Sequence, residues 1–248
     1  MKRTTEATTQ SLSEVMAHFS PARLISVIGG GGKTTLVHWL TKERAKTGRT
    51  LLTSTTAMLR PSFLPIDFGE VTSKANPIAL FSHRLSEAKL KGIPPEAIDR
   101  LKKERLFNSI IVEADGSNGR PFKSYASYEP PIPQSSDLIA LVIGADGFFE
   151  PIEQVVHRPQ ILIEQLGLSP DQAMTPEIFL DHFKCPGGAL KNVPTKEVIV
   201  LFNRIDRLED TTFLHSLIPE LFQDERVAAV LFTQLTAAKL EAVYYRSD

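Results

Sequence analysis

Six compact apolar runs divide the chain: RLISVIG, RTLLTSTT, NSIIVEAD, DLIALVIGAD, KEVIVLFNRID and RVAAVLFTQ. Each is short, rich in Val, Ile, Leu or Ala, and most close on glycine, hydroxyl or acidic residues. That pattern predicts strands buried on both faces rather than half-exposed ones. Between the runs, apolar positions recur at helical spacing. Ser11 and Glu14 have capping-box spacing ahead of a short helix. Thr34 to Lys46 reads as a helix, as do Leu80 to Lys91 and Pro95 to Phe107, parted by the Pro94-Pro95 break. Further helices are expected around Arg158 to Leu166, Pro176 to Phe183, and between the fifth and sixth runs. Strands alternating with helices predict an α/β fold with a mostly parallel sheet covered on both faces. No repeat or low-complexity linker interrupts this order. One domain over 1–248 is expected, with a frayed polar tail over 1–10 and a proline-rich loop over 117–136.

Composition narrows the function more than the fold. The 248 residues carry a formal net charge of −1, with 42% hydrophobic and 23% charged residues. Such a balance gives no general attraction to nucleic acid or to an anionic membrane, so any anion site must be local. A single cysteine, Cys185, excludes an internal disulfide. The start, MKRTTEATTQ, lacks the apolar core of a signal peptide, and no apolar run approaches the ~20 residues of a membrane helix. A cytoplasmic location is expected, with neither nucleic acid nor membrane as a partner.

The local site announces itself in SVIGGGGKTT, Ser26 to Thr35. Glycines between a buried strand and a helix let several N–H groups converge on one anion, and the helix N-terminus adds positive potential. Gly29, Gly30, Gly31 and Gly32 would cradle phosphates, Lys33 would reach the terminal ones, and the Thr34 hydroxyl, followed by Thr35, would ligate Mg²⁺. This makes the expected architecture P-loop NTPase-like, a three-layer fold. The usual first glycine is missing, since Val27 stands in its place, and what remains is a shortened G-x-x-G-K-T-T from Gly29. The same short form resembles the loop of Mur-type ligases. The extra signature lysine of another ATPase class would fall at Ile28 and is absent.

Phosphoryl chemistry also needs carboxylates beside the phosphates. Glu113 and Asp115 lie two apart at the end of the third run, on one face while the strand lasts, at the strand end where open α/β sheets bind ligands. One would hold Mg²⁺ and the other orient an attacking water; the plain alternative is a turn at Asp115-Gly116. Thr53, Ser54, Thr55 and Thr56 end the second run, where Thr55 would complete the metal shell or the group would serve only as strand end and cap. In VLFNRID, Asn203 and Asp206 match the Asn-Lys-x-Asp pattern by which many GTPases read guanine, with Arg204 in place of the lysine. The alternative is a strand end with Asp206 capping a turn. The cofactors expected are therefore Mg²⁺ and either ATP or GTP. Cys185 has no second cysteine or evident base beside it and reads as a bland thiol.

With VIGGGGKTT, LLTSTTAM, VEADGSNGRPFK, YEPPIP and VHRPQ in this order, the sequence resembles the YqeC family from about Leu24 to Asp206. These are described as selenium-dependent hydroxylase accessory proteins, or selenium cofactor biosynthesis proteins. The resemblance implies a nucleotide-powered or nucleotide-switched role in making or inserting a selenium-containing molybdenum cofactor. A molybdenum hydroxylase or a selenium or molybdenum-cofactor carrier would then be the partner. It maps Gly29 to Thr35 as the loop and Glu113, Asp115 and Gly116 as the acidic block; Lys123, Glu129, Pro130, His157 and Arg158 match without assigned roles. Tyr125 and Tyr128 stand where smaller or more polar residues are expected. The position of the proline-rich segment suggests a lid that would bring Lys123 and Glu129 to the terminal phosphate. Two rival readings stay open: a ligase or kinase that transfers phosphoryl to an acceptor, and a non-catalytic, nucleotide-gated chaperone.

Overall fold

The computed structural model describes residues 5–7, 10–19, 21–194 and 197–247. The first half contains β1 (Thr5–Ala7), α1 (Leu12–His18), β2 (Leu24–Gly29), α2 (Lys33–Ala45), β3 (Thr50–Ser54), β4 (Ala57–Leu59), β5 (Ile66–Phe68), β6 (Ile78–Phe81), β7 (His83–Arg84), β8 (Lys89–Lys91), α3 (Pro95–Glu104) and β9 (Ser109–Glu113). The second half contains β10 (Phe122–Lys123), β11 (Leu138–Gly144), α4 (Ile152–Val155), β12 (Val156–His157), α5 (Pro159–Leu166), α6 (Pro176–Lys184), β13 (Val198–Asn203), α7 (Thr212–Leu221), β14 (Val227–Gln234) and β15 (Lys239–Tyr245).

The main sheet has ten strands in the order β1-β15-β14-β13-β11-β2-β9-β3-β6-β5. From β14 to β5 every pairing is parallel, and only β15 and β1 add antiparallel edges. All six apolar runs of the sequence are strands of this parallel portion. Its fold class is α/β, a mostly parallel central sheet flanked by helices, consistent with a P-loop-like three-layer architecture. β1 lies within the stretch expected to be a polar tail; residues 1–4, 8 and 9 of that stretch fall outside the described residues.

The period of two within each strand divides the core between the faces. Leu24 and Ile28 of β2, Ile110 and Val112 of β9, and Val200 and Phe202 of β13 pack with α3, α5, α6 and α7 on one face. Ile25 and Val27, Ile111, and Ile199 and Leu201 pack with α1 and α2 on the other. This places both faces of β2 in apolar surroundings and fixes the height at which its C-terminal end emerges. α1 starts on the expected capping box: Ser11 Oγ accepts from the Glu14 N–H at 3.2 Å, and Glu14 Oε2 accepts from the Ser11 N–H at 2.6 Å.

One expectation is corrected. Leu80 to Lys91 is not a helix but β6, β7 and β8. Ile78 and Ala79 pair in parallel with β3, and the Thr53 hydroxyl donates to the Leu80 carbonyl at 2.6 Å. β8 turns back between β4 and β7 in a small antiparallel sheet. Leu85, which contributes to the helical spacing, is half exposed. Pairing with strands distant in sequence overrides the local period here. α3 begins at Pro95 as expected and stops at Glu104, because Arg105 turns left-handed at φ 57°. Among the described residues no helix is long and apolar enough to cross a membrane.

Phe202 is fully buried and meets Phe179 and Phe232 edge to face, at 5.7 and 5.9 Å between ring centroids. Phe202→Ala is expected to destabilise the fold by about 3–5 kcal/mol, read as a lower urea midpoint with an unchanged m-value.

Candidate functional site

The loop between β2 and α2 is only Gly30 to Gly32 long, because β2 runs through Gly29 and α2 starts at Lys33. Val27 therefore sits inside the strand, which is why no glycine is needed there. The loop is clamped by backbone on both sides. The Gly30 N–H donates to the Val142 carbonyl of β11 at 2.8 Å, and the Gly31 N–H donates to the Arg120 carbonyl at 3.0 Å. A Cβ on Gly30 would lie 2.4 Å from the Arg120 and Pro121 carbonyl oxygens. A Cβ on Gly32, itself at φ +142°, would lie 2.3 Å from Asn203 Nδ2. Close approach of backbone dictates the glycine at position 30, while at position 32 the positive φ itself favours glycine.

α2 opens with Gly32 as its N-cap; it has no side-chain cap and no acidic residue in its first turn. The first N–H groups of a helix have no intrahelical acceptor, and a cap, water or ligand must satisfy them. Here glycine leaves them facing the loop with the positive end of the helix dipole. Lys33, only 4% exposed, folds inward: Nζ donates to the Gly29 carbonyl at 2.6 Å and pairs with Asp115 Oδ1 at 3.0 Å. Asp115 is fully buried, and its Oδ2 accepts the Gly29 N–H at 3.0 Å. Thr34 Oγ1 donates to Glu113 Oε2 at 2.7 Å. Burial pushes the Glu113 carboxyl above its ordinary value, with Asp115 adding to the rise and Lys33 and Thr34 opposing it.

The glycines, Lys33, Thr34, Glu113 and Asp115 expected from the sequence thus converge at one strand edge. Thr35 is half-buried in the first turn of α2. Thr55 stands beside the acids, its hydroxyl donating to the Ala114 carbonyl at 3.1 Å, while Ser54 Oγ donates to the Glu113 carbonyl at 2.8 Å. These hydroxyls join the ends of β3 and β9. Asn203 reaches the loop from the opposite flank, Nδ2 donating to the Gly31 carbonyl at 2.7 Å. Asp206 does not touch the loop; it is exposed on the turn that follows β13.

The proline-rich segment is packed rather than laid over the surface as a lid. Lys123, Ser124, Tyr125, Glu129 and Ile132 are all buried. Phe122 and Lys123 pair in parallel with Val156 and His157. Lys123 donates to the Gly116 carbonyl and pairs with Glu129 at 3.0 Å, and Arg158 pairs with Glu129 at 2.9 Å. Burial raises the Glu129 carboxyl, but Lys123, the Ala126 N–H and Arg158 outweigh it and hold the group below its ordinary value. Burial, then Lys123 and Arg158, push the His157 imidazole down. His182 Nε2 donates to the Lys123 carbonyl at 2.9 Å, and among the described residues its Nδ1 has no hydrogen-bond partner. The segment is also held from 190 onward, by Lys191 on the Ala126 carbonyl and Asn192 on the Glu129 carbonyl at 3.1 Å.

Tyr125 is the residue that motif reading undervalued. Its ring lies under the Lys123 ammonium, 5.2 Å from ring centroid to Nζ, and its buried hydroxyl faces Asp115 and the Gly29 backbone. Burial, with the negative charge of Asp115 next, drives its phenol well above its ordinary value. Only its place between two matched blocks hinted at this. Cys185 is half-buried beyond α6, away from these groups.

Hard oxygen donors, Thr34 Oγ1 and the Glu113 and Asp115 carboxylates, stand beside an uncapped helix start. That set suits a magnesium ion that takes its remaining ligands from phosphate and water. Among the described residues no group of three or more His, Cys, Asp or Glu side chains is placed to hold a metal ion.

The family model described as YqeC protein matches residues 25–160. The chain is also 34% identical over 214 residues to the YqeC protein of Escherichia coli (strain K12), covering 82% of this chain and 84% of that relative. No solved structure gives a significant match. The chain belongs to the YqeC family.

Two outcomes follow from the packing of the site. A carboxyl whose pKa is raised on folding binds its proton more tightly in the native state. The native state then loses stability as pH rises from 4.5, the ordinary value, through the folded value. Glu113→Gln, which keeps the Thr34 acceptor without the charge, is expected to melt at a higher temperature than the natural protein at pH 8, with the gap closing below pH 4.5. Limited trypsin digestion is expected to leave Lys123, which is followed by Ser124, uncut in the native protein, in contrast to the exposed lysines Lys89 and Lys91, as read by mass spectrometry of the fragments.

Proposed function

We propose that this member of the YqeC family is a nucleotide-binding P-loop protein. On this reading it is a Mg²⁺-dependent NTPase that uses ATP or GTP to assist the making or insertion of a selenium-containing cofactor for molybdenum hydroxylases. The observation that carries the nucleotide half is the start of α2. It is uncapped and acid-free, with Lys33 buried at its first position against Asp115. Such an end calls for an anion. The selenium and molybdenum half rests on the family resemblance and on the EADGS and EPPIP blocks that carry it.

Each residue then has a physical task. Lys33 moves its ammonium from the Gly29 carbonyl and Asp115 to the β- and γ-phosphates, and the first N–H groups of α2 hold the same oxygens. Thr34 and Glu113, already bonded at 2.7 Å, are the pair that would hold magnesium. When bound, the ion offsets the charge that develops on the transferred phosphoryl group. Release of Lys33 leaves Asp115 as a carboxylate at the end of the phosphates, where it orients the attacking water or acceptor. Most of the rate enhancement in such a site is electrostatic.

Binding and phosphate release measured with Mg²⁺ and either nucleotide test this reading. Lys33→Ala is expected to weaken nucleotide binding by about 100-fold or more, whereas Asp115→Asn should bind within a few-fold and lose about 10²–10³ in turnover. Binding that is independent of Lys33 would remove the basis of the proposal.

A further inference from the structure

The proposed phosphate site has two flanks, and the mechanism uses only one. The sheet order β9-β2-β11-β13-β14 puts the acids on one side of the glycine loop and the ends of β13 and β14 on the other. On that second side a buried amide joins three pieces of chain. Asn203 Nδ2 donates to the Gly31 carbonyl at 2.7 Å, while its Oδ1 accepts the Leu235 N–H at 2.9 Å and the Thr233 hydroxyl at 3.3 Å. Loop, β13 and the turn after β14 are therefore fixed relative to one another. The turn Ile205–Arg207 is held a second time, because Arg204 and Arg207 pair with Asp146 at 3.2 and 2.8 Å.

On this twice-held turn, among the described residues, Asp206 is exposed and makes no hydrogen bond or ion pair. That argues against a turn-capping role. Aspartates that cap turns in this chain use their oxygens on nearby N–H groups. Asp210 accepts from the Thr212 N–H at 2.8 Å, and Asp67 accepts from Thr72 and Ser73 at 2.7 and 2.8 Å. Asp206 does neither; Thr236 and Ala237, on the turn that follows β14, are likewise exposed.

We infer that the base side of the site reads guanine, so that the nucleotide is GTP rather than ATP. The inference rests on the phosphate-loop reading above. Guanine presents two donors on one edge, N1–H and the 2-amino group, and a single carboxylate accepts both. Adenine presents an unprotonated N1 at that edge, which the same carboxylate repels. The Asn203 tether sets the distance from Asp206 to the loop, so the base contact and the phosphate contact are made by one rigid body.

Equilibrium binding of ribose-tagged GTP, ATP, inosine triphosphate and xanthosine triphosphate, each with Mg²⁺, to the full chain and to Asp206→Asn and Lys33→Ala tests this. The unaltered protein is expected to bind GTP at least about tenfold tighter than ATP, and at least about tenfold tighter than inosine triphosphate, which lacks the 2-amino group. Asp206→Asn is expected to lose about tenfold or more for GTP and to gain for xanthosine triphosphate, whose 2-carbonyl accepts the new amide N–H. A smaller preference for GTP over ATP or inosine triphosphate, or an Asp206→Asn variant with unchanged base order, overturns the guanine inference and leaves the phosphate reading standing. The inosine comparison needs no variant and decides the matter even if Asp206→Asn fails to fold. Absence of Lys33-dependent binding for all four nucleotides overturns the phosphate reading, and the inference with it.

Discussion

The Lys33–Asp115 pair is the constraint around which the strand edge is arranged. Both groups are withdrawn from water, and an ion pair so placed is kept only if its remaining hydrogen-bonding capacity is met. Part of it is met by one residue: Gly29 supplies its carbonyl to the lysine and its N–H to the aspartate. Strand end, helix start and acidic strand are thereby locked to the same peptide. Removing one partner strands a buried charge, and exchanging Asp115 for another anion at the lysine leaves the buried Asp115 to the Gly29 N–H. Under the proposed function, that exchange is what nucleotide binding amounts to. On that reading the pair serves in place of the phosphate until the phosphate arrives.

Sheet order then distributes chemistry to the two sides of this pair. β9 lies directly beside β2, so the acids come within hydrogen-bond range of Thr34 without any long loop. β11 lies on the other side of β2 and lends only backbone: Val142 accepts from Gly30, and Gly144 packs under Gly31. A strand with small residues at its end there lets Asn203 of β13 reach across it to the loop. The right-handed crossovers of a parallel sheet make this arrangement a consequence of chain order. Successive strands on the two sides bring their C-terminal ends to one edge, where the ends of open sheets bind ligands.

Much of this was legible because the elements involved are governed by local rules. Six strands buried on both faces need continuous apolar runs, and such runs stand out. A tight strand-to-helix turn against neighbouring backbone needs glycine, and the glycine run names it. What could not be read depends on partners distant in sequence. The segment from Leu80 to Lys91 has helical spacing, yet β6 has β3 and β5 on its flanks and takes their pairing instead. β15, KLEAVYY, has partly exposed residues at its start and no glycine to close it, and it is recognisable only beside β14. The proline-rich segment looks structureless locally because its order comes from a buried Lys123–Glu129 pair within it and from Arg158, His182, Lys191 and Asn192, which bind it from elsewhere in the chain. Tyr125 is legible as part of this packing but not as a neighbour of Asp115, since nothing in the spacing brings it there.

The shortness of the loop, which at first separates it from the standard phosphate-loop spacing, follows from the same packing. The N–H groups of Gly29, Gly30 and Gly31 are already committed, to Asp115, Val142 and Arg120. A longer loop would leave more backbone donors free to wrap an anion, and would need an earlier glycine to turn. Here β2 continues straight through Val27 and Ile28 into the core, and the donors available to an anion are those at the first turn of α2. The work of wrapping passes from the loop to the helix start, and the glycines are retained because their neighbours leave no room for a side chain. The same economy explains why the sequence stops its glycines at Gly32. Lys33 already belongs to the helix, where a residue with a long side chain can turn back over the loop and where its own N–H has no partner inside the helix.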